Sequence, residues 1–353
     1  MSTFFPFRTV SLYLLLSFLF ACGPSRDVSM TVTRPAEITF PPDAKTILLV
    51  DRTRMENGAV NILEGILTGE LPADDRVAAQ EAVVSLKNRL DASPRFAVKL
   101  FPDRMKGNSL TSAFPQALDW AIVHQLCTSN GADVVVALEI FDSDFIVTNG
   151  NRIKKKTEGE GANKREVEYT EYYAQGVGNV KMGIRAYHDR SKTILDQQLF
   201  TESKTWEAVG KNALDAAALL ISKSEANRYL AAAVGSDYAY KISPLPVRLS
   251  RSFYGKSKHE PSVATGTRYA DVNQWQQAID SWKQGLNGAS QKDAGKLAYN
   301  IAVGYEVLGE YGSALTWARD AYTRYGNNNA REYVQQLEAR ISDEKLLKKQ
   351  MGE

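Results

Sequence analysis

The chain has 353 residues, enough for about two domains. Hydrophobic residues make up 44% and charged residues 24%, which is ordinary for a folded protein. The net charge of +2 does not favour nucleic acid as a partner. Only Cys22 and Cys127 could form a disulfide, and the three histidines, His124, His188 and His259, lie too far apart in sequence for metal-ligand spacing. No metal and no cofactor is therefore expected.

Residues 1–21 carry one charge, Arg8, followed by the apolar run from Val10 to Phe20 and the small residue Ala21. That is the pattern of a secretory signal peptide, too short to be a membrane span. Leu19-Phe20-Ala21-Cys22 then resembles a bacterial lipobox; the alternative is an ordinary signal in which Cys22 is incidental. The resemblance implies cleavage before Cys22, a diacylglyceryl thioether on its sulfur and a further acyl chain on its amine. Each buried CH₂ contributes about 0.8 kcal/mol, so two or three chains hold a protein on a bilayer. Residues 22–35 read as a tether. Residue 23 is Gly, not Asp, and no acidic run follows, which points to the periplasmic side of the outer membrane.

A mixed α/β domain is expected over 36–250. Ile47 to Val50 reads as a strand buried on both faces, with Asp51-Arg52-Thr53 at its end. Asp74 to Leu90 reads as a helix with apolar or Ala residues at 78, 79, 82, 83, 86 and 90 on one face. Phe96 to Leu100 alternates like a strand, Pro115 to Cys127 reads as a helix closed by Ser129-Asn130-Gly131, and Ala132 to Phe141 is the clearest strand. The polar segment 149–166 reads as a mobile hairpin tip between a strand ending near Val147 and a long strand from Val167 to Tyr187. Thr193 to Thr205 is a further strand, and Gly210 to about Tyr240 an Ala-rich helix broken near Gly235. The order β-α-β-α-β-β-β-α predicts a mixed sheet with flanking helices, its first strands parallel and its later ones antiparallel.

The strings SPRFAVKL, GADVVVALEI and VKMGIRAYHDRSKTILDQQ resemble the small α/β domain of the curli-secretion and penicillin-binding-protein-activator lipoproteins over residues 45–235. RPAEITFP, FDSD (141–144), KTWEA (204–208) and ISPLPVRLSRSFY (242–254) resemble an uncharacterised family of Bacteroidales-type envelope lipoproteins. Neither resemblance supplies a catalytic signature. A secretion pore would need strands of about 9–11 alternating apolar residues, and 149–166 is polar, so no pore is expected.

An all-α domain is expected over 255–350. Tyr305, Gly309, Tyr311, Ala314, Ala318 and Ala321 follow tetratricopeptide spacing, and Trp275, Ala278 and Trp282 form a weaker earlier copy. The small residues let paired helices approach, and the aromatics fill the gap to the next pair. Ala330 to Lys349 would cap the array. A plain helical hairpin domain satisfies the same periodicity.

Asp142 and Asp144, at the expected end of the strongest strand and near Glu139, are the one candidate ligand loop. Paired carboxylates there could serve as acid and base or hold a metal, though a solvated turn is the simpler reading, since no third ligand or base is apparent. His188-Asp189 reads as a surface turn and Cys127 as a packing residue on an apolar helix face. No nucleophile motif is present, and Arg152 to Lys156 is a mixed-charge tip rather than a nucleic-acid site. The sequence therefore predicts a non-catalytic, lipid-anchored envelope protein that binds another envelope protein at the outer membrane. The alternative is an envelope hydrolase or glycan-binding protein using Asp142 and Asp144.

Overall fold

A computed structural model describes residues 25–55, 72–108 and 113–353. Cys22 and its lipobox lie outside the described residues. The chain divides into two compact units: Pro35–Leu245 together with Gln350–Glu353, and residues 25–34 together with Pro246–Lys349. The division falls a few residues before the expected boundary at 250.

The first unit is built on a mixed five-stranded sheet. Its strands are β2 (Thr46–Asp51), β4 (Ala97–Leu100), β6 (Val134–Glu158), β7 (Arg165–His188) and β8 (Thr193–Gly210), in the spatial order β4-β2-β6-β7-β8. β2 is parallel to β4 and β6, while β6-β7 and β7-β8 are antiparallel. The parallel strands need crossovers, and two helices supply them. α1 (Pro72–Leu90) buries Ala78, Ala79, Ala82, Val83, Leu86 and Leu90, the stripe expected from sequence. α2 (Trp120–Asn130) buries Val123, Leu126 and Cys127. The two helices belong to different cores: Leu49, Val136 and Ile184 pack with α1, and Leu48, Val50, Val135 and Tyr187 pack with α2. The uncharged apolar run Ile47 to Val50 inside β2 is the consequence, since both faces are covered there, and the one charge, Asp51, stands at the strand's end. A short parallel pair, β3 (Arg54–Met55) and β5 (Lys106–Asn108), stands beyond the ends of β2 and β4.

Four expectations need correction. The α2 helix starts at Trp120, not Pro115, because Asp119 caps it by accepting from the Ala121 N–H at 2.8 Å. The polar segment 149–166 is not a loose tip: β6 and β7 stay paired from Val134↔His188 to Glu158↔Arg165, leaving only residues 159–164 to turn. The Ala-rich helix breaks at 220–222 rather than at Gly235, giving α3 (Ala213–Leu219) and α4 (Lys223–Ile242). A Ser222/Glu225 capping box starts α4. Gly235 lies inside it, where an added Cβ would fall 2.2 Å from the Ala82 carbonyl oxygen of α1. The glycine marks a close helix approach, not a break.

The fourth correction concerns the tether. Residues 25–34 form β1 (Ser25–Arg34), paired with β9 (Leu245–Tyr254) in a two-stranded sheet. In the same unit follow α5 (Pro261–Asp271), α6 (Trp275–Gly285), α7 (Gln291–Val307), α8 (Tyr311–Thr323) and α9 (Asn329–Met351), the last as far as Lys349. Their core holds Val263, Trp275, Ala278, Trp282, Ile301, Ala314, Ala318, Tyr333 and Leu337. Ala321 is buried against Ala298 and Ala330. Tyr305 and Tyr311 are half-buried, and Gly309 takes a positive φ of 79° in the turn before α8.

α7 also carries buried polar groups that fix its neighbours. Glu306 accepts two bonds from Arg251, at 2.8 and 3.0 Å, and one from the Tyr333 hydroxyl at 2.7 Å. Burial alone would raise the Asp293 carboxyl, but bonds from Lys296, Ser257 and Ser290 hold it at about 2 against an ordinary 3.8. A carboxyl lowered on folding stabilises the fold fully above its unfolded pKa and loses that contribution as pH falls through its folded one. The helical unit should therefore lose stability between pH 3.8 and about 2. Asp293→Asn should flatten that limb of a pH-stability curve followed by circular dichroism. An unchanged acid limb would show that Asp293 does not carry it.

Candidate functional site

Open α/β sheets bind ligands outside the carboxyl ends of their parallel strands. Here that place holds charged side chains of the chain itself. A β-bulge between Leu138 and Ile140 makes Glu139 the extra residue on β6. A bulge re-aims a side chain, and Glu139 turns into the strand end with no exposure. Its carboxylate accepts from Arg52 Nη1 at 2.9 Å and from the Tyr187 hydroxyl at 2.5 Å. Arg185 Nη1 lies 2.7 Å from the other oxygen, an ion pair without hydrogen-bond alignment.

Both arginines are buried and donate further N–H groups locally. Arg52 donates to the carbonyls of Lys106 and Gln116, and Arg185 to Gln197 and the Pro115 carbonyl. The Phe114 ring lies under the Arg185 guanidinium at 4.7 Å. The Leu118 N–H donates to the Tyr187 hydroxyl at 3.2 Å. Residues 115, 116 and 118 thus spend backbone groups on the cluster instead of on a helix, which is the tertiary reason that α2 starts late. Burial, then the bond to Glu139, push the Tyr187 phenol up. Beside the cluster, Asp51 pairs with Arg104 at 2.9 Å and accepts from Thr53. Gly107 of β5 passes so close that a Cβ would meet Arg52 at 2.6 Å. Two cations around one carboxylate, all desolvated, form a packed keystone rather than an open pocket.

The second feature is the far end of the sheet. β8 ends at Gly210, opposite Tyr172, whereas β6 and β7 continue to Glu158 and Arg165. Beyond that point they form a two-stranded ribbon, and no described side chain from Ile153 to Thr170 is buried. Cross-strand charges hold it. Arg152 bridges Glu171 and Glu207 at 2.5 and 2.6 Å, and Lys154 joins Glu171 at 2.9 Å. The bonds to Glu207 and Glu171 raise the Arg152 guanidinium, and Lys154 then Arg152 lower Glu171. Ile153, near the base of this charged ribbon, is 72% exposed.

Comparison with known proteins places this sheet unit. The family described as Domain of unknown function (DUF8603) matches residues 44–254. The chain belongs to the DUF8603 family. A second domain of unknown function, DUF6340, matches residues 264–339. No curated protein matches the chain. Among solved structures, a PelC dodecamer from Paraburkholderia phytofirmans has TM-score 0.23 at 11% identity, over 62% of this chain and 99% of that one. A neuraminyllactose-binding hemagglutinin homolog from Helicobacter pylori has TM-score 0.25 at 12% identity, over 58% of this chain and 94% of that one.

The DUF8603 segment contains the keystone, the ribbon and both expected ligand-loop residues. Asp142 and Asp144 are exposed, but they lie in the middle of β6, opposite Lys181 and Asn179, and not at a strand end. Between them, Ser143 points the other way, where it bonds Asp75 and accepts from Asn227. Among the described residues no group of three or more His, Cys, Asp or Glu is placed to hold a metal ion. Cys127 is buried, and burial followed by Asp189 and Asp133 pushes its thiol up to about 12. His188 is buried at the β7-β8 turn rather than on the surface, with Nδ1 2.7 Å from the Ser191 hydroxyl.

The keystone was announced only faintly. Glu139 and Arg185 are charges inside apolar runs, VVVALEIF and MGIRAYH. A charge inside a strand covered on both faces needs a partner, and that was the available signal.

Proposed function

We propose that this is a lipid-anchored envelope protein, held by Cys22 on the periplasmic side of the outer membrane, that binds another envelope protein without catalysis. The ribbon carries this reading. Both of its edges present backbone N–H and C=O groups that no described strand pairs, and such edges accept an added strand. Natural folds usually blunt long open edges; here Lys, Arg and Glu line one, which favours a selective partner over aggregation. The helical unit supports the reading further. Its buried Ala278, Ala314, Ala318 and Ala321 match the close helix pairing of tetratricopeptide arrays, which are binding scaffolds. The packed cluster at Glu139, beside the carboxyl end of β2, supports it too, since a deep polar pocket there would have favoured the hydrolase reading.

The test replaces residues 152–171 with an Asn-Gly turn in the full-length, acylated protein. The variant should keep its thermal unfolding and lose only the ribbon's own strand signal in circular dichroism, because the excised ribbon contributes little core. It should lose the envelope protein that co-purifies with the intact chain. Recovery of the same partner without the ribbon, or of no specific partner by the intact chain, would overturn the proposal.

A further inference from the structure

β1 begins at Ser25, three residues after Cys22. Three residues span at most roughly 11 Å. If Cys22 carries the lipid, no slack separates the bilayer from the folded chain. β1 is fixed within the helical unit: it pairs with β9, Val28 packs against the helical core, and Asp27 accepts from the Ser252 hydroxyl at 2.5 Å. Arg26, the second residue of β1, reaches Asp271 at the end of α5, 3.9 Å away. The next residue, Val272, is 63% exposed, and Tyr269 is 39% exposed. Asn273 then turns the chain at φ 61° into α6.

We propose that the α5-α6 turn, Tyr269 to Asn273, rests on the phospholipid bilayer and is held there by the short link from Cys22 to β1. The inference rests on the lipid-anchor reading of Cys22. Its chemistry suits a headgroup layer. Val272 offers an apolar side chain with nothing over most of it, Tyr269 an amphipathic ring, and Arg26 and Arg268 two cations for phosphate. Asp27 and Asp271 balance those cations, so contact comes from the short link rather than from a net basic charge. A segment tethered at such range experiences a high effective concentration of lipid even where its own affinity is slight.

The test uses the full acylated chain in phosphatidylethanolamine vesicles containing phosphatidylglycerol and nitroxide-labelled lipid. Val272→Cys gives a reactive thiol for a fluorophore, since Cys127 is buried and the Cys22 sulfur is a thioether. Tyr322→Cys on α8 is the comparison site. The label at 272 should be quenched severalfold more strongly than the label at 322. Inserting about 20 Gly/Ser residues after Pro24, a coil of about 25 Å, should abolish the difference while the protein still floats with the vesicles. Equal quenching at both sites in a protein that floats and takes up a fatty-acid label would overturn this inference alone. So would a difference that survives the long linker. Absence of the fatty-acid label on Cys22 would overturn the anchor reading and this inference together.

Discussion

Glu139→Ala should destabilise the sheet unit by roughly 3–5 kcal/mol, the usual cost of removing one partner from a buried ion pair. The carboxylate is 0% exposed and faces Arg52 and Arg185, which are 9% and 5% exposed. Without it, two guanidinium groups share a desolvated site with no counter-charge. Neither can leave easily, because each also holds backbone carbonyls of the segment leading to α2. The loss is a large fraction of a typical domain stability of about 5–15 kcal/mol. Glu139→Gln keeps the shape and one acceptor, so it should fall between wild type and the alanine variant. Tyr187→Phe removes one hydrogen bond from the same carboxylate and takes an acceptor from the Leu118 N–H and from Arg185 Nη1, so it should cost about 1–3 kcal/mol. Urea unfolding, with amide exchange along β6 to assign the transition to this unit, reads all three. A loss under about 1 kcal/mol for Glu139→Ala would show that water reaches the site and screens the arginines.

The contrast between Glu139 and the α1 stripe explains how much of this fold was legible. The stripe at 78, 79, 82, 83, 86 and 90 is periodic because one helix face meets one core, so local order predicts burial. The bulge at Glu139 has no local signature, since it exists only relative to the register of β7. β1 did carry a signal, since Val28, Met30 and Val32 stand two apart within the stretch that reads as a tether. The ribbon was hidden for a different reason. A strand exposed on both faces shows no alternation. Its order comes from ladder bonds and from pairs such as Arg152 with Glu171, which join residues from the two sides of a turn. Asp142 and Asp144 were placed at a strand end for the same reason, because the polar continuation of β6 did not read as strand.

Trp282→Ala should destabilise the helical unit by roughly 3–5 kcal/mol, as for other large aromatic-to-alanine changes in a core. Trp282 has no exposure, makes edge contact with Phe253 at 5.9 Å, and donates its indole N–H to the Val263 carbonyl at 3.1 Å. It lies against two glycines on facing helices. A Cβ on Gly266 of α5 would fall 2.2 Å from the indole nitrogen, and one on Gly304 of α7 3.5 Å from the ring. Ring and glycine are therefore one fitted contact, and their substitutions should not add. Gly266→Ala alone should cost about 1–3 kcal/mol by overpacking. In the Trp282→Ala background the clash is gone, and alanine exceeds glycine in helix propensity by about 0.8–1 kcal/mol. The second substitution should then be neutral or stabilising, a reversal of sign that a double-mutant cycle detects directly. If Gly266→Ala costs the same in both backgrounds, the two side chains do not meet as described. In that case the helix pair is held together by some other contact.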